Sequence, residues 1–532
     1  MSKKVRIILA LVVVAALFGY RQWQARHPAP AAATDATAAA PNKAAPKPRH
    51  AVAEEAPVTR TRGSLKFHPC TLTSAQAAGN VEAQCTTLAV PENPAAPTGR
   101  KIDLKIAWLD SKNDGAADLE PVFFIAGGPG QSATEVASLV EVALAETRKQ
   151  RDVFLIDQRG TGGSHPLECL GPDGKPLALP EEDVTDAAKV VADYAARCAA
   201  ALKPTTDTRF YTTTEAIGDL DAVRAVLGAP RVDLVGVSYG TRVAQQYAKR
   251  YPEHVRALVI DGVAPNDLVV GGEFATTFED AIKLQAAQCR QDAACAKRFP
   301  TDTHEQLRNV LARLREAPVE VDYRHPGTGE MAHGKVTADT VVGLAFAFSY
   351  APQTASLLPL VLDEASHGRY EPLMSLAQLA NRQMGGQMNR LMQWSVICAE
   401  DAGRYQPSEA AASTLLGPEV AQMFFAACPA WASGTAPADF TAPLTGNVPV
   451  LLLSGELDPV TPPRYAERVL AHLPNGKHVI APGQGHSVMA LGCVPKLIGQ
   501  FFDKGDAKSL DASCVQNLNR VPAFTSFNGW EP

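Results

Sequence analysis

The stretch Arg231-Val-Asp-Leu-Val-Gly-Val-Ser-Tyr-Gly-Thr-Arg-Val-Ala-Gln-Gln-Tyr-Ala-Lys-Arg250 decides how the chain is read. Arg231 to Val237 is a short apolar run of the kind that makes a strand buried on both faces. From Thr241 to Arg250 the composition favours a helix. Between them lies Gly236-Val-Ser238-Tyr-Gly240, a G-x-S-x-G sequence. A serine on a tight turn from strand to helix needs these glycines, because a Cβ at either position would hold the two backbones apart. The turn lifts the Ser238 hydroxyl out of the sheet beside a helix N-terminus, where developing negative charge is favoured. Ser238 is therefore the candidate nucleophile.

The flanking segments repeat the alternation. Pro121 to Ala126, Asp152 to Ile156 and Ala257 to Ile260 are further apolar runs with strand character. Thr214 to Leu227 reads as a helix, with Ile217, Leu220, Val223, Val226 and Leu227 on one face. Strands and helices in this order predict an α/β protein with a mostly parallel sheet and helices on both faces. The pattern changes after Pro265. Residues 266–440 carry helical segments and few strand signals. Val448 to Leu453, a helix from Arg464 to Leu470 and Lys477 to Ile480 then restore it. The expected organisation is a core of residues 58–265 and 441–532, interrupted by a mainly helical cap at 266–440. Two domains in series is the alternative, which the order of the reactive residues disfavours.

A serine nucleophile needs a base and an acid behind it. Of twelve histidines, His486 in Gly483-Gln-Gly-His-Ser487 follows the last strand signal, where a loop reaches the C-terminal edge of the sheet. Leu453-Ser-Gly-Glu456-Leu-Asp458-Pro459 ends the preceding strand and supplies the acid; Asp458 is favoured, with Glu456 and Asp261 as competitors. The bland alternatives are a solvated loop histidine and carboxylates that cap loops. The order Ser238, Asp458, His486 is that of the α/β-hydrolase fold. In that fold the oxyanion donors would be the backbone N–H of Tyr239 and one from Gly127-Gly128-Pro129-Gly130, here Gly128. A plain Gly-Pro turn is the alternative for the second.

Gly127-Gly-Pro-Gly130, Asp157-Gln-Arg-Gly-Thr-Gly-Gly-Ser164, Gly236-Val-Ser-Tyr-Gly-Thr241 and Ser454-Gly-Glu-Leu-Asp-Pro459 together resemble the proline-iminopeptidase clan of α/β-hydrolases. Within it the chain is most similar to the exported tripeptidyl-aminopeptidase-like branch, whose C-terminal segment carries the acid and the histidine. The resemblance runs from about residue 65 to 515, densest in the core motifs and thinner in the cap. Many relatives have histidine before the glycine pair, where this chain has Ala126; backbone groups do the oxyanion chemistry, so the change is expected to matter little. The resemblance implies removal of short N-terminal fragments from peptides with a free N-terminus. It also implies an acidic anchor for the substrate amine, matched here by Glu400 and then Asp401 in Cys398-Ala-Glu-Asp401. A solvated acidic pair beside a disulfide is the competing reading. Asp157 and Arg159 are expected to organise their loop as a charge pair. The chemistry requires no metal and no organic cofactor.

The ends and the composition set the compartment. Lys3, Lys4 and Arg6 precede an apolar run from Ile7 to Tyr20, the layout of an export signal. No small-residue cleavage site directly follows, so residues 1–26 are a signal peptide or a retained anchor that would tether the protein to the inner membrane. Residues 27–57 are rich in Ala and Pro and read as a linker. The ten cysteines begin at Cys70 and fall into the neighbouring pairs Cys70/Cys85, Cys169/Cys198, Cys289/Cys295, Cys398/Cys428 and Cys493/Cys514. An even number in an exported chain suggests disulfides, with Cys289/Cys295 the first expected, in a periplasmic or secreted protein. No pair of Cys-x-x-Cys motifs suggests zinc. A formal charge of −6 without a basic stripe excludes a general nucleic-acid binder.

Two functions from different classes stay open beside the aminopeptidase. One is a carboxylesterase or other small-molecule acyl hydrolase on the same fold, since substrate choice lives in the cap. The other is an inactive binding protein, which an apparently complete Ser, Asp and His set disfavours.

Overall fold

In the computed structural model, residues 59–73, 79–112, 119–177, 187–384 and 388–529 are described. The expected signal or anchor (1–26) and the Ala/Pro-rich linker (27–57) lie outside them. Among the described residues there are twelve strands. Arg60–Arg62 (β1), Leu65–Thr73 (β2), Asn80–Pro91 (β3) and Lys101–Leu109 (β4) precede the short buried strands Val122–Ile125 (β5) and Val153–Ile156 (β6). Val232–Val237 (β7), Val255–Asp261 (β8), Val319–Arg324 (β9), Met331–Val336 (β10), Val450–Gly455 (β11) and Gly476–Ala481 (β12) follow. Ten of them form one sheet in the order β1-β2-β3-β4-β6-β5-β7-β8-β11-β12. The six strands from β6 to β12 in that order run parallel, and β6 joins the antiparallel front through β4.

Burial explains these strands. β5, β6, β7 and β11 are buried at every position, as expected where helices cover both faces. Side chains alternate between the faces. Phe123, Phe154, Leu234, Leu258 and Leu452 enter a core beneath the helices Thr213–Val226 and Tyr239–Arg250. Phe124, Leu155, Val235, Val259 and Leu453 enter the opposite core, closed by Ala137–Ala143 and Val494–Lys504.

The antiparallel front was not anticipated, yet its signal is plain. In Lys101-Ile-Asp-Leu-Lys-Ile-Ala-Trp108, every second residue, Ile102, Leu104, Ile106 and Trp108, is buried. Phe67 on β2 meets Trp108 edge-on at 5.4 Å, Trp108 stacks on Phe154 at 5.9 Å, and Phe154 meets Phe123 at 6.0 Å. This aromatic run, with each pair worth about 0.5–1.5 kcal/mol beyond its buried area, joins the front to the parallel strands.

The insertion builds a core of its own. Helices Phe274–Gln291, Thr303–Glu316, Ala338–Ser349, Leu358–Ser366 and Glu371–Met384 pack around Phe278, Leu311, Leu344, Leu362 and Leu373. A β9/β10 hairpin, absent from the sequence reading, completes it. From Arg390 the packing changes. Leu391, Met392, Trp394 and Ile397 of the helix Arg390–Glu400, and Phe425 and Trp431 beyond it, join the central core. Ala411, Leu415 and Leu416, between these two stretches, still pack in the cap's own core, so the segment after Arg390 is shared between the two cores.

All five neighbouring cysteine pairs are disulfides. Among the described residues no helix is long and apolar enough to cross a membrane. Cys398–Cys428 closes a 30-residue separation and pins the helix Arg390–Glu400 to the chain that returns to the core. Replacing both cysteines with alanine is expected to lower unfolding free energy by about 3 kcal/mol, as measured by urea denaturation.

Candidate active site

The Gly236–Gly240 turn has the geometry its sequence requires. Ser238 sits at φ 55°, ψ −124°, a conformation that costs a non-glycine residue about 1–3 kcal/mol. A Cβ on Gly236 would lie 2.4 Å from the Gly240 carbonyl oxygen, and one on Gly240 would lie 2.3 Å from that of Ile125. Strand, turn and helix can approach this closely only without side chains. The Ser238 N–H donates to the Asp261 carbonyl (2.9 Å), and Thr241 Oγ1 donates back to the Ser238 carbonyl (2.6 Å).

The structure brings His486 and Asp458 together. Nδ1 of His486 lies 2.7 Å from Asp458 Oδ2. That carboxylate also accepts from the N–H groups of Val460 (2.9 Å) and Thr461 (2.7 Å) and from Thr461 Oγ1 (2.8 Å). Burial opposes the Asp458 charge, but His486 and these donors outweigh it and hold the acid below its ordinary value. Burial likewise opposes protonation of His486, yet Asp458, with Asp261 behind it, raises the imidazole above its usual range. The ring rests against the chain beside the nucleophile: a Cβ on Gly262 would come 2.9 Å from His486 Cε1. Among the described residues no hydrogen bond joins Ser238 to His486, and such contacts commonly tighten only when substrate binds. Glu456, the competing acid, instead accepts from the Gly483 N–H (2.6 Å) and shapes the histidine loop.

The glycine loop packs on the nucleophile, with the place of a Gly127 Cβ 3.0 Å from Ser238 Cβ. Gln131 Oε1 accepts the Gly127 N–H (3.3 Å), which leaves the next amide, Gly128, as the loop's candidate oxyanion donor beside Tyr239 N–H. Gly128 and Gly130 have φ of 110° and 105°, open to glycine alone. The loop is tied to the segment entering the helix Arg390–Glu400, where Asn389 N–H donates to the Gly130 carbonyl (2.8 Å).

Asp157 does organise its loop. It accepts from Ser132 Oγ (2.8 Å), Thr134 N (2.8 Å), Thr134 Oγ1 (2.9 Å) and Gly163 N (3.0 Å). Its pairing with Arg159 does not occur, because Arg159 makes a buried two-pronged contact with Asp219 (2.7 and 2.6 Å).

Glu400 and Asp401 face inward, at 4% and 0% exposure. Glu400 accepts from Thr213 N (2.8 Å) and Thr213 Oγ1 (2.9 Å), and that hydroxyl lies 2.7 Å from the Tyr239 phenol. Asp401 is held by Arg242 (3.2 and 3.0 Å) and Arg404 (2.8 Å). Burial pushes the Glu400 carboxyl up to about 8 against the pull of Arg242. The pair therefore supports the helix behind the nucleophile, and neither carboxyl stands free as an amine anchor would.

Sequence reading missed two contacts of the histidine loop. The His486 N–H donates to the carbonyl of Tyr350 in the cap (2.7 Å), and the Tyr350 ring meets the imidazole edge-on at 5.3 Å. Phe346 continues from Tyr350 at 5.5 Å and Phe274 from Phe346 at 5.9 Å, all three part-exposed. Nothing in the local sequence marks them, since they reach the site only through the folded cap. A cavity of about 810 Å³ lined by Arg159, Phe210, Asp219, Gln246 and Tyr251 touches none of the candidate catalytic residues. No group of three or more His, Cys, Asp and Glu among the described residues is placed to hold a metal ion.

A family profile described as alpha/beta hydrolase fold matches residues 120–492. Serine protease Hip1 of Mycobacterium tuberculosis is 26% identical over 481 residues, spanning 85% of this chain and 91% of that protein. Tripeptidyl aminopeptidase of Streptomyces lividans is 30% identical over 193 residues, 34% of this chain and 35% of that protein. Among solved structures, proline iminopeptidase of Mycobacterium smegmatis has a TM-score of 0.37 and 17% identity, covering 80% of this chain and 100% of that one.

Only neutral imidazole can take the serine proton. The rate, as kcat/KM, is therefore expected to fall as pH drops through a His486 pKa above the ordinary value. Asp458→Asn removes the main charge that raises it, so this acid limb should move to lower pH while kcat falls by about 10,000-fold. A pH–rate profile of the two proteins checks both outcomes; an unmoved limb contradicts the assignment of Asp458.

Proposed function

The chain belongs to the alpha/beta hydrolase fold family, and on that premise we propose that it is an exported serine aminopeptidase releasing short N-terminal fragments from peptides. One observation carries the hydrolase part of this reading: His486 paired with Asp458 at 2.7 Å, beside a strained turn that presents Ser238. The peptidase part draws support from relatives named as a serine protease and a tripeptidyl aminopeptidase. Export draws support from the charged and apolar N-terminus and from five disulfides, which persist in oxidising compartments.

The mechanism follows from the residues. Ser238 Oγ attacks the scissile carbonyl while His486 Nε2 takes its proton. The Gly128 and Tyr239 N–H groups hold the oxyanion, a contribution of about 3 kcal/mol for each donor. His486 then gives the proton to the leaving amine, and water releases the acyl group from Ser238 by the same path in reverse. Asp458 keeps Nδ1 protonated throughout and stabilises the imidazolium.

A carboxylesterase remains the second reading, and a specific feature favours it. The surface leading from His486 is aromatic, formed by Tyr350, Phe346 and Phe274, while Glu400 and Asp401 are buried. Hydrolysis of free-amine peptidyl chromogenic substrates, their N-acetylated forms and a short-chain ester by the protein lacking residues 1–57 separates the two. Rapid cleavage of the free-amine peptides alone is the expected result, with Ser238→Ala inactive. Ester hydrolysis indifferent to an amine would replace the aminopeptidase with the esterase. A Glu400→Gln variant that raises KM only for free-amine substrates would return Glu400 to the role of anchor.

A further inference from the structure

Asp261 ends β8 and is wholly buried, yet it does not touch the imidazole as the triad's acid must. Its two polar ends reach the two reactive residues separately. The main-chain carbonyl accepts the Ser238 N–H at 2.9 Å. On the side chain, Oδ2 accepts from Ser487 Oγ (3.0 Å), Val488 N (2.8 Å) and Met489 N (2.8 Å), the three residues directly after His486. We propose that Asp261 is a positioning residue that sets His486 in register with Ser238, fixing the nucleophile through its backbone and the base through its carboxylate. This inference rests on the Ser238–His486 reading of the site.

Ser487 is held at φ 68°, a left-handed conformation that a side chain adopts only when its surroundings enforce it. The two buried amides after it need an internal acceptor, and a charged acceptor binds roughly twice as strongly as a neutral one. One carboxylate oxygen gathers all three donors, while Oδ1 has no partner. The next residue, Gly262, has φ 67° and leaves the space into which the imidazole fits. Ser238, Asp261, residues 487–489 and His486 therefore close a short circuit across the sheet edge. A small shift of the carboxylate would turn the imidazole away from the serine.

The groups facing His486 are Asp458 at Nδ1, Asp261 behind the loop, the Thr461 hydroxyl at 3.1 Å and the Tyr350 ring. Of these, only Asp458 and Asp261 carry negative charge at neutral pH, so losing the Asp261 charge must lower the imidazole pKa. That shift reports the lost charge alone, whereas a fall in kcat with KM unchanged reports the displaced ring.

The test compares wild type, Ser238→Ala, Asp261→Asn and Ser487→Gly on any substrate the wild type cleaves. Asp261→Asn keeps the shape and an acceptor oxygen. Its kcat is expected to fall by about 10–100-fold with KM little changed, and its acid limb to move to lower pH. Ser487→Gly removes one donor and relaxes the backbone where glycine is at ease, so it folds even if Asp261→Asn does not; its kcat is expected to fall with the limb unmoved. Wild-type kcat in Ser487→Gly, or wild-type kcat and limb in a folded Asp261→Asn, overturns the proposal. Activity surviving in Ser238→Ala overturns the reading of the site itself, which keeps the two failures apart.

Discussion

The close approach of Gly236 at the end of β7 to Gly240 in the first turn of the helix Tyr239–Arg250, with no room for a Cβ on either, is the constraint on which the rest of the site depends. Ser238 is held at φ 55° in that contact, and its strain of about 1–3 kcal/mol must be met by the surroundings. Several buried interactions do so. Asp401 fixes Arg242 on the same helix, Glu400 and Thr213 hold the Tyr239 side chain, and Thr241 Oγ1 bridges the Ser238 carbonyl and the Ala264 N–H (2.6 and 2.8 Å).

The other catalytic parts arrive from strand ends at the same edge of the sheet. Asp458 follows β11 and His486 follows β12, neighbours in parallel register. The glycine loop follows β5, which flanks β7. Parallel strands put all these loops at one edge, as the fold requires for ligands. The cap then enters the site through its backbone as well as its side chains, since the Tyr350 carbonyl accepts the His486 N–H. The position of the His486 backbone is thus tied to one cap residue.

What the sequence showed and what it hid follow from how far apart the interacting residues lie. The nucleophile turn, the parallel strands and the Ser, Asp and His order are local patterns or chain-order patterns, and they were legible. The disulfides were legible because each joins sequence neighbours. The front strands carry a period-two alternation, as in Lys101 to Trp108, that is weaker than the continuous apolar runs of the parallel strands. The buried state of Glu400 and Asp401 was not readable, because it depends on Thr213 and Arg242, which lie far away in sequence. Asp261 was recognised as a strand-end acid, but only the folded loop shows that its carboxylate reaches residues 487–489 rather than the ring.

The central claim is that Ser238 is the sole activated nucleophile. The most direct measurement is intact-mass analysis, with peptide mapping, after treatment with a fluorophosphonate, which phosphonylates a serine only when a neighbouring base has activated it. The account requires a single adduct on the peptide carrying Ser238, abolished by both Ser238→Ala and His486→Ala. An adduct on another residue, or none in a preparation that still hydrolyses substrate, would contradict it.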